Sequence, residues 1–210
     1  MKKRNISNNK SICFIFLFIF AIMISGITLS YAYYTITMKG STDTGTNKAA
    51  NLNITTSLTN ADAINTSNLV LIDGSDLTKA EKVSFTVTNN TDSTVAAKYT
   101  INLVDMTLTQ NLFSKYFKWA IVRNGDTTNM ITGDFHDESG SVTEGTTSVE
   151  NKSVSAKVLI SDDSALSLAI GKTDTIDFYI WLQDDDDINQ LYLTSGKFSG
   201  KLSLNAVPVK

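Results

Sequence analysis

Cysteine is almost missing from this chain. The single residue, Cys13, lies in an apolar run near the N-terminus. No internal disulfide can form, there is no second thiol for redox chemistry, and the fold must be held by packing alone. Proline is equally scarce: Pro208 is the only one, so turns fall to Gly, Asn, Asp and Ser. His136 is the one histidine. A Ser-His-Asp triad would have to use it, no HExxH pair can be built, and no serine stands in a GxSxG setting. His136 does have carboxylates beside it at Asp134, Asp137 and Glu138, and imidazole with carboxylate suits zinc or manganese. These groups crowd into one polar stretch, however, and a solvated acidic loop is the better reading. The expectation is a protein that is not an enzyme and has no cofactor.

The N-terminus is the most informative part of what is present. Lys2, Lys3, Arg4 and Lys10 form a basic head, and an apolar run follows from Ile12 to Leu29. Ser30-Tyr31-Ala32 then places small residues at the first and third positions, as signal peptidase requires. Residues 1–32 read as a signal peptide cut after Ala32, with Ser30 and Ala32 in the peptidase site. The alternative is an uncleaved hydrophobic anchor helix, with membrane contact through residues 12–29, near the lower limit for crossing about 30 Å of hydrocarbon. Both readings put the rest of the chain outside the cytoplasm. Removing the head leaves 14 Lys and Arg against 21 Asp and Glu, a net of −7. That excess argues against nucleic acid and anionic lipid as partners.

Beyond the junction the pattern is β throughout. Tyr33–Met38 alternates, with Tyr34, Ile36 and Met38 pointing one way, and a Gly/Ser/Thr linker reaches to about residue 50. Further strands are expected at Leu52–Leu58, Asn68–Ile72, Glu81–Thr88, Val95–Asp105, Phe117–Arg123, Lys152–Ile160 (Val154, Ala156, Val158 and Ile160 in register), Thr175–Leu182 and Phe198–Val207. The Glu81 and Val95 strands form an antiparallel partnership, within one sheet or across two. Leu108–Tyr116 reads as two turns of helix, and Asn124-Gly125-Asp126 as a tight hairpin turn. Residues 129–151 read as a long surface excursion with a weak strand or two. The domain over residues 51–210 is therefore an all-β, two-sheet sandwich, jelly-roll-like or immunoglobulin-like.

Three stretches together resemble the TasA/camelysin family: SYAYYTIT at the junction, KVSFTVTNNTDSTVAAKYTINLVD, and the late pair FYIWLQ and GKFSGKLSLNA. The resemblance covers the junction, the central region and the C-terminal third, and leaves out residues 124–151. It implies an exported Gram-positive surface protein with a jelly-roll-like sandwich, in several members a subunit of matrix or surface fibres. The family's metalloprotease label finds no matching residues here.

Two further features bear on ligands. Asp184, Asp185, Asp186 and Asp187 follow a strand directly. Such oxygen-rich loops can hold calcium weakly, but the spacing of an EF-hand is missing and a plain acidic turn is the simpler reading. Trp119, Tyr179, Trp181 and Tyr192 could stack on sugars, although nothing in the sequence clusters them and core packing explains them better.

A strand on a tether beside a processing site can fold back on its own sheet or enter a neighbour's. If the neighbour's edge takes it and the contact does not close, a filament results. The expected function is thus an extracellular or cell-surface structural subunit, with self-association into filaments or other matrix proteins as its partners and signal peptidase acting during export. The alternative is a monomeric or anchored adhesive, ligand-binding module. No LPxTG-type signal is present, which argues against covalent attachment to the cell wall.

Overall fold

A computed structural model describes residues 34–37, 52–58, 64–66, 69–73, 76–136 and 145–209. All of these belong to one unit, Tyr34–Lys210. The signal or anchor segment, the Ser30/Ala32 site, Met38 and the linker lie outside the described residues. Among the described residues, no helix is long and apolar enough to cross a membrane.

Among the described residues, twelve strands build two sheets: β1 (Tyr34–Thr37), β2 (Ile54–Leu58), β3 (Ile64–Thr66), β4 (Leu71–Ile72), β5 (Glu81–Asn89), β6 (Ala97–Thr109), β7 (Phe117–Arg123), β8 (Asp126–Asp134), β9 (Asn151–Ile160), β10 (Leu166–Leu168), β11 (Thr173–Gln183) and β12 (Phe198–Pro208). The first sheet centres on β12 and β6. β1 and β3 share the outer edge of β12, and β9 and β10 share the far edge of β6. The second runs β2-β5-β11-β7-β8, with β4 beside the end of β11. Every pairing is antiparallel except the two-residue contact of β4 with β11. β5 and β6 lie in different sheets, so their partnership is across the sandwich.

Period-2 alternation accounts for the core. Phe85 and Val87 from β5, Tyr99, Ile101 and Leu103 from β6, Ile176, Phe178, Ile180 and Leu182 from β11, and Leu202, Leu204 and Ala206 from β12 are all buried in one cluster. Phe117, Phe135 and Phe198 close one region of it, with ring centroids 4.5, 5.6 and 5.5 Å apart. A smaller cluster of Ile72, Ala120 and Trp181 lies apart from this core, with Leu77, Ala80 and Tyr179 packed against it.

The expected helix over Leu108–Tyr116 is absent. β6 continues through Thr109 and a single 3-10 turn follows at Gln110–Leu112. Leu108, Leu112 and Tyr116 have helical spacing, but the four consecutive residues Asn111–Ser114 are all buried, which leaves no solvent face for a helix. The backbone here bonds across the fold: Thr109, Gln110 and Asn111 donate their N–H groups to the carbonyls of Lys197, Glu150 and Ser148. β6 is carried past its expected end by a bulge at Asp105, which has φ 51°. Between Lys201↔Val104 and Ser199↔Thr107, β12 moves two residues and β6 three. The inward positions therefore change from Tyr99, Ile101 and Leu103 to Met106 and Leu108.

A second bulge corrects β9. Its expected face of Val154, Ala156, Val158 and Ile160 is broken because β9 spends two residues where β6 spends one, between Ile101↔Ile160 and Asn102↔Val158. Leu159 turns inward and Val158 is left 58% exposed. The Asn68–Ile72 strand shrinks to Leu71–Ile72, while β3 and β10 were not anticipated. The excursion expected over residues 129–151, with its weak strand or two, opens on the second half of a nine-residue edge strand, β8, which starts at Asp126 and ends next to a fully buried Phe135.

Gly133 on β8 stands opposite Trp119 on β7. A Cβ placed there would lie 2.5 Å from the indole, which is itself buried. Gly133→Ala is expected to cost about 1–3 kcal/mol, read as a lower urea midpoint with an unchanged slope.

Candidate functional site

The outer edge of β12 is the site to which the N-terminal strand points. β6 pairs along the inner edge of β12 from Phe198 to Pro208. On the outer edge, β3 covers Phe198–Gly200 and β1 covers Ser203–Ala206. The register sets Tyr34 opposite Ala206 and Ile36 opposite Leu204, two residues whose own side chains are fully buried. β1 thus completes the first sheet at the point where β12 sets Leu204 and Ala206 into the core. Without it, the backbone donors and acceptors on that edge of Ser203–Ala206 would lack their sheet partner.

The other sequence candidates fall in separate places. Asp184–Asp187 lie in the loop after β11, shaped by the buried Gln190. The Gln190 side chain accepts from Asp185 N–H at 2.8 Å and donates to the Gln183 carbonyl at 2.9 Å. Asp184 N–H donates to the Ile72 carbonyl, and Asp187 N–H to the Asp185 carboxylate. Among the described residues, no three His, Cys, Asp or Glu side chains converge as a metal site. His136 follows β8, its N–H donating to Asp134, which is paired with Lys118 at 3.2 Å. Asp137 and Glu138 lie outside the described residues. The four aromatics do not form one platform. Trp119 is in the main core with Tyr192 packed against it, whereas Trp181 and Tyr179 belong to the smaller cluster.

The most strongly held polar group was not anticipated. Asp174, 3% exposed, binds three partners with its carboxylate: Tyr99 Oη at 2.7 Å, Asn124 Nδ2 at 2.8 Å and Arg123 Nη2 at 2.7 Å. The same Arg123 nitrogen donates to the Ser167 carbonyl on β10 at 2.7 Å. Asn124, in the left-handed region at φ 53° within the β7–β8 turn, also accepts from Thr175 N–H. Burial pushes the Asp174 carboxyl up, but Arg123, Asn124 and Tyr99 outweigh it and hold it below the usual carboxylate range. Burial first, then the Asp174 carboxylate, pushes the Tyr99 phenol far up. The cluster ties β6 and β10 of one sheet to β7 and β11 of the other. A signal for it was present: Asp174 is in phase with Ile176 and Phe178, and Arg123 with Phe117, Trp119 and Ile121. Opposite charges thus stand on the core faces of two strands.

No family model matches the chain, and no curated protein matches it. Among solved structures it is similar to a two-domain esterase active on acetylated mannans, co-crystallised with mannopentaose, at 10% identity over 74% of this chain and 37% of that one, TM-score 0.33. It is also similar to a family two carbohydrate esterase from Cellvibrio japonicus, at 7% identity over 85% and 36%, TM-score 0.30. A third is CBM35 from Cellvibrio japonicus Abf62, at 10% identity over 85% and 99%, TM-score 0.34. The chain spans little more than a third of the length of the two esterases. Likenesses this distant carry no argument about what the chain does.

Proposed function

We propose that the chain is an exported, non-enzymatic structural subunit of an extracellular fibre or matrix, assembling by donation of β1 to the β12 edge of a neighbouring copy. The observation that carries this reading is the seat of β1. A four-residue strand, next to the expected processing site, fills an edge position over the most deeply buried part of β12. A neighbour's strand can make the same backbone bonds there, because antiparallel pairing depends on register and not on covalent connection. The jelly-roll-like topology belongs to the same proposal. The chain crosses between sheets at most steps and sets strands remote in sequence side by side, β1 by β12 and β5 by β11.

The second reading is a monomeric or anchored adhesive module. It is favoured by the same seat, since β1 closes the edge within its own chain.

Electron microscopy with size-exclusion chromatography separates the two. The full chain, expressed so that processing is the cell's own, is expected to form filaments on concentration. Deletion of residues 34–37 is expected to abolish them and leave a soluble species. A stable monomer from the full chain under all conditions would reject the fibre reading in favour of the second.

A further inference from the structure

The β7–β8 hairpin turns on Asn124-Gly125, the only Asn-Gly pair in the chain. Both residues have positive φ, 53° and 75°, the conformation that favours this pair in a two-residue turn. The pair is also chemically labile. The backbone nitrogen of the following residue can close on the asparagine Cγ as a five-membered ring, and glycine has no side chain to hinder the approach. A C–N bond forms to Cγ, the carboxamide nitrogen leaves as ammonia, and a succinimide results. Water then opens the ring to aspartate or isoaspartate, and nothing is oxidised or reduced.

Both partners in this reaction can be located. Asn124 is exposed, so water reaches it. Gly125 is open too, since a Cβ built on it would meet nothing within 4 Å. What opposes ring closure is the grip of β11. Asn124 Nδ2 donates to the Asp174 carboxylate at 2.8 Å, and its Oδ1 accepts from Thr175 N–H at 2.8 Å. The Asn124 N–H donates in turn to the Thr175 carbonyl at 2.7 Å. Cγ cannot turn onto the Gly125 nitrogen while its oxygen and its nitrogen are both held. Local opening of this contact must come first.

Conversion would also destroy what restrained it. Asp174 would face a second carboxylate where it had an amide donor, and like charges at that distance repel. An isoaspartyl link would add a backbone carbon between Arg123 and Asp126, whose pairing closes the hairpin. Neither product can rebuild the three-partner arrangement around Asp174.

We propose that Asn124 is a deamidation site gated by the Asp174 cluster: opening of the turn from β11 lets it convert, and the tie between the sheets does not re-form. The turn thereby sets a one-way limit on the lifetime of the fold. This holds whether or not the chain forms filaments.

The test incubates the full chain in mildly alkaline buffer, native or unfolded in urea, and follows residue 124 by peptide mass mapping. Conversion is expected to be about 30-fold slower in native buffer than in urea, two hydrogen bonds' worth. Asp174→Ala, still folded by circular dichroism, should convert about 5-fold faster than wild type in native buffer, one bond's worth. Asn124→Asp, which reproduces one product, should unfold at a lower urea midpoint. Equal rates in native buffer and urea overturn the proposal, and this comparison needs only the wild-type protein, so it decides even where Asp174→Ala fails to fold. A folded Asp174→Ala that converts no faster than wild type overturns it as well, as does an Asn124→Asp as stable as wild type.

Discussion

Asp174→Ala is expected to lower the unfolding free energy by about 3–5 kcal/mol, the range for breaking a buried ion pair from one side. The loss is large because the buried Tyr99 hydroxyl is left without its acceptor and the Arg123 guanidinium, still bonded to the Ser167 carbonyl, loses its counter-charge, while the exposed Asn124 amide turns to water. Chemical denaturation reads it directly. Tyr99→Phe removes one of the three donors and should cost about 1 kcal/mol. The double variant should cost less than the two added, since the phenol has already lost its acceptor. The same group sets an acid limit. The Asp174 carboxyl is held below its ordinary value of 3.8, so its contribution is fully present above that value. It is lost as pH falls through the lower, folded-state value. The wild-type protein should therefore lose stability on acidification through that range, and Asp174→Ala should flatten this part of the profile. An unchanged slope would mean that other carboxylates carry it.

Phe135→Ala should cost about as much, 3–5 kcal/mol in the range for a large aromatic removed from a core. Phe135 is fully buried, stacked on Phe117 at 4.5 Å and tilted against Phe198 at 5.5 Å, with the Lys157 ammonium 5.5 Å from its ring. The neighbouring His136→Ala, at an exposed position, should change stability by under about 0.5 kcal/mol. Thermal unfolding of the pair distinguishes a core anchor from a surface loop. Equal, small effects would mean that the chain around residue 135 is not docked.

That contrast shows which parts of the fold were legible in the sequence. β5, β11 and β12 are readable because their core-facing apolar residues keep a period of two, and β7 because it is a short apolar run, buried on both faces from Trp119 to Val122. β8 lacks that signal. It is an edge strand whose residues Asp126–Met130 are all exposed, so DTTNMITGD has the composition of a loop. Phe135 stood as one apolar residue in polar company, and only tertiary packing gives it a role. β6 and β9 were recognised, but each bulge changes the parity of the strand. A period carried straight through it assigns the wrong face, as at Val158. Arg123, Asp174 and Tyr99 meet only because β7, β11 and β6 converge across two sheets. Their spacing in sequence says nothing of it, though their phase on the core face does.

The central strand of the first sheet, β12, follows the other eleven in chain order. A chain still emerging from a ribosome or translocation channel can pair β5, β7 and β11 of the second sheet, and β6 with β9 and β10 of the first, while β1 and β3 wait for β12. The first sheet then ends at β6, and the apolar surface that β12 and β1 cover stays open until β12 is released. Closure becomes a late event dominated by contacts far apart in sequence, which makes folding slow. Time-resolved protease protection would show it as two phases, with the strands of the second sheet protected before β12 and β1.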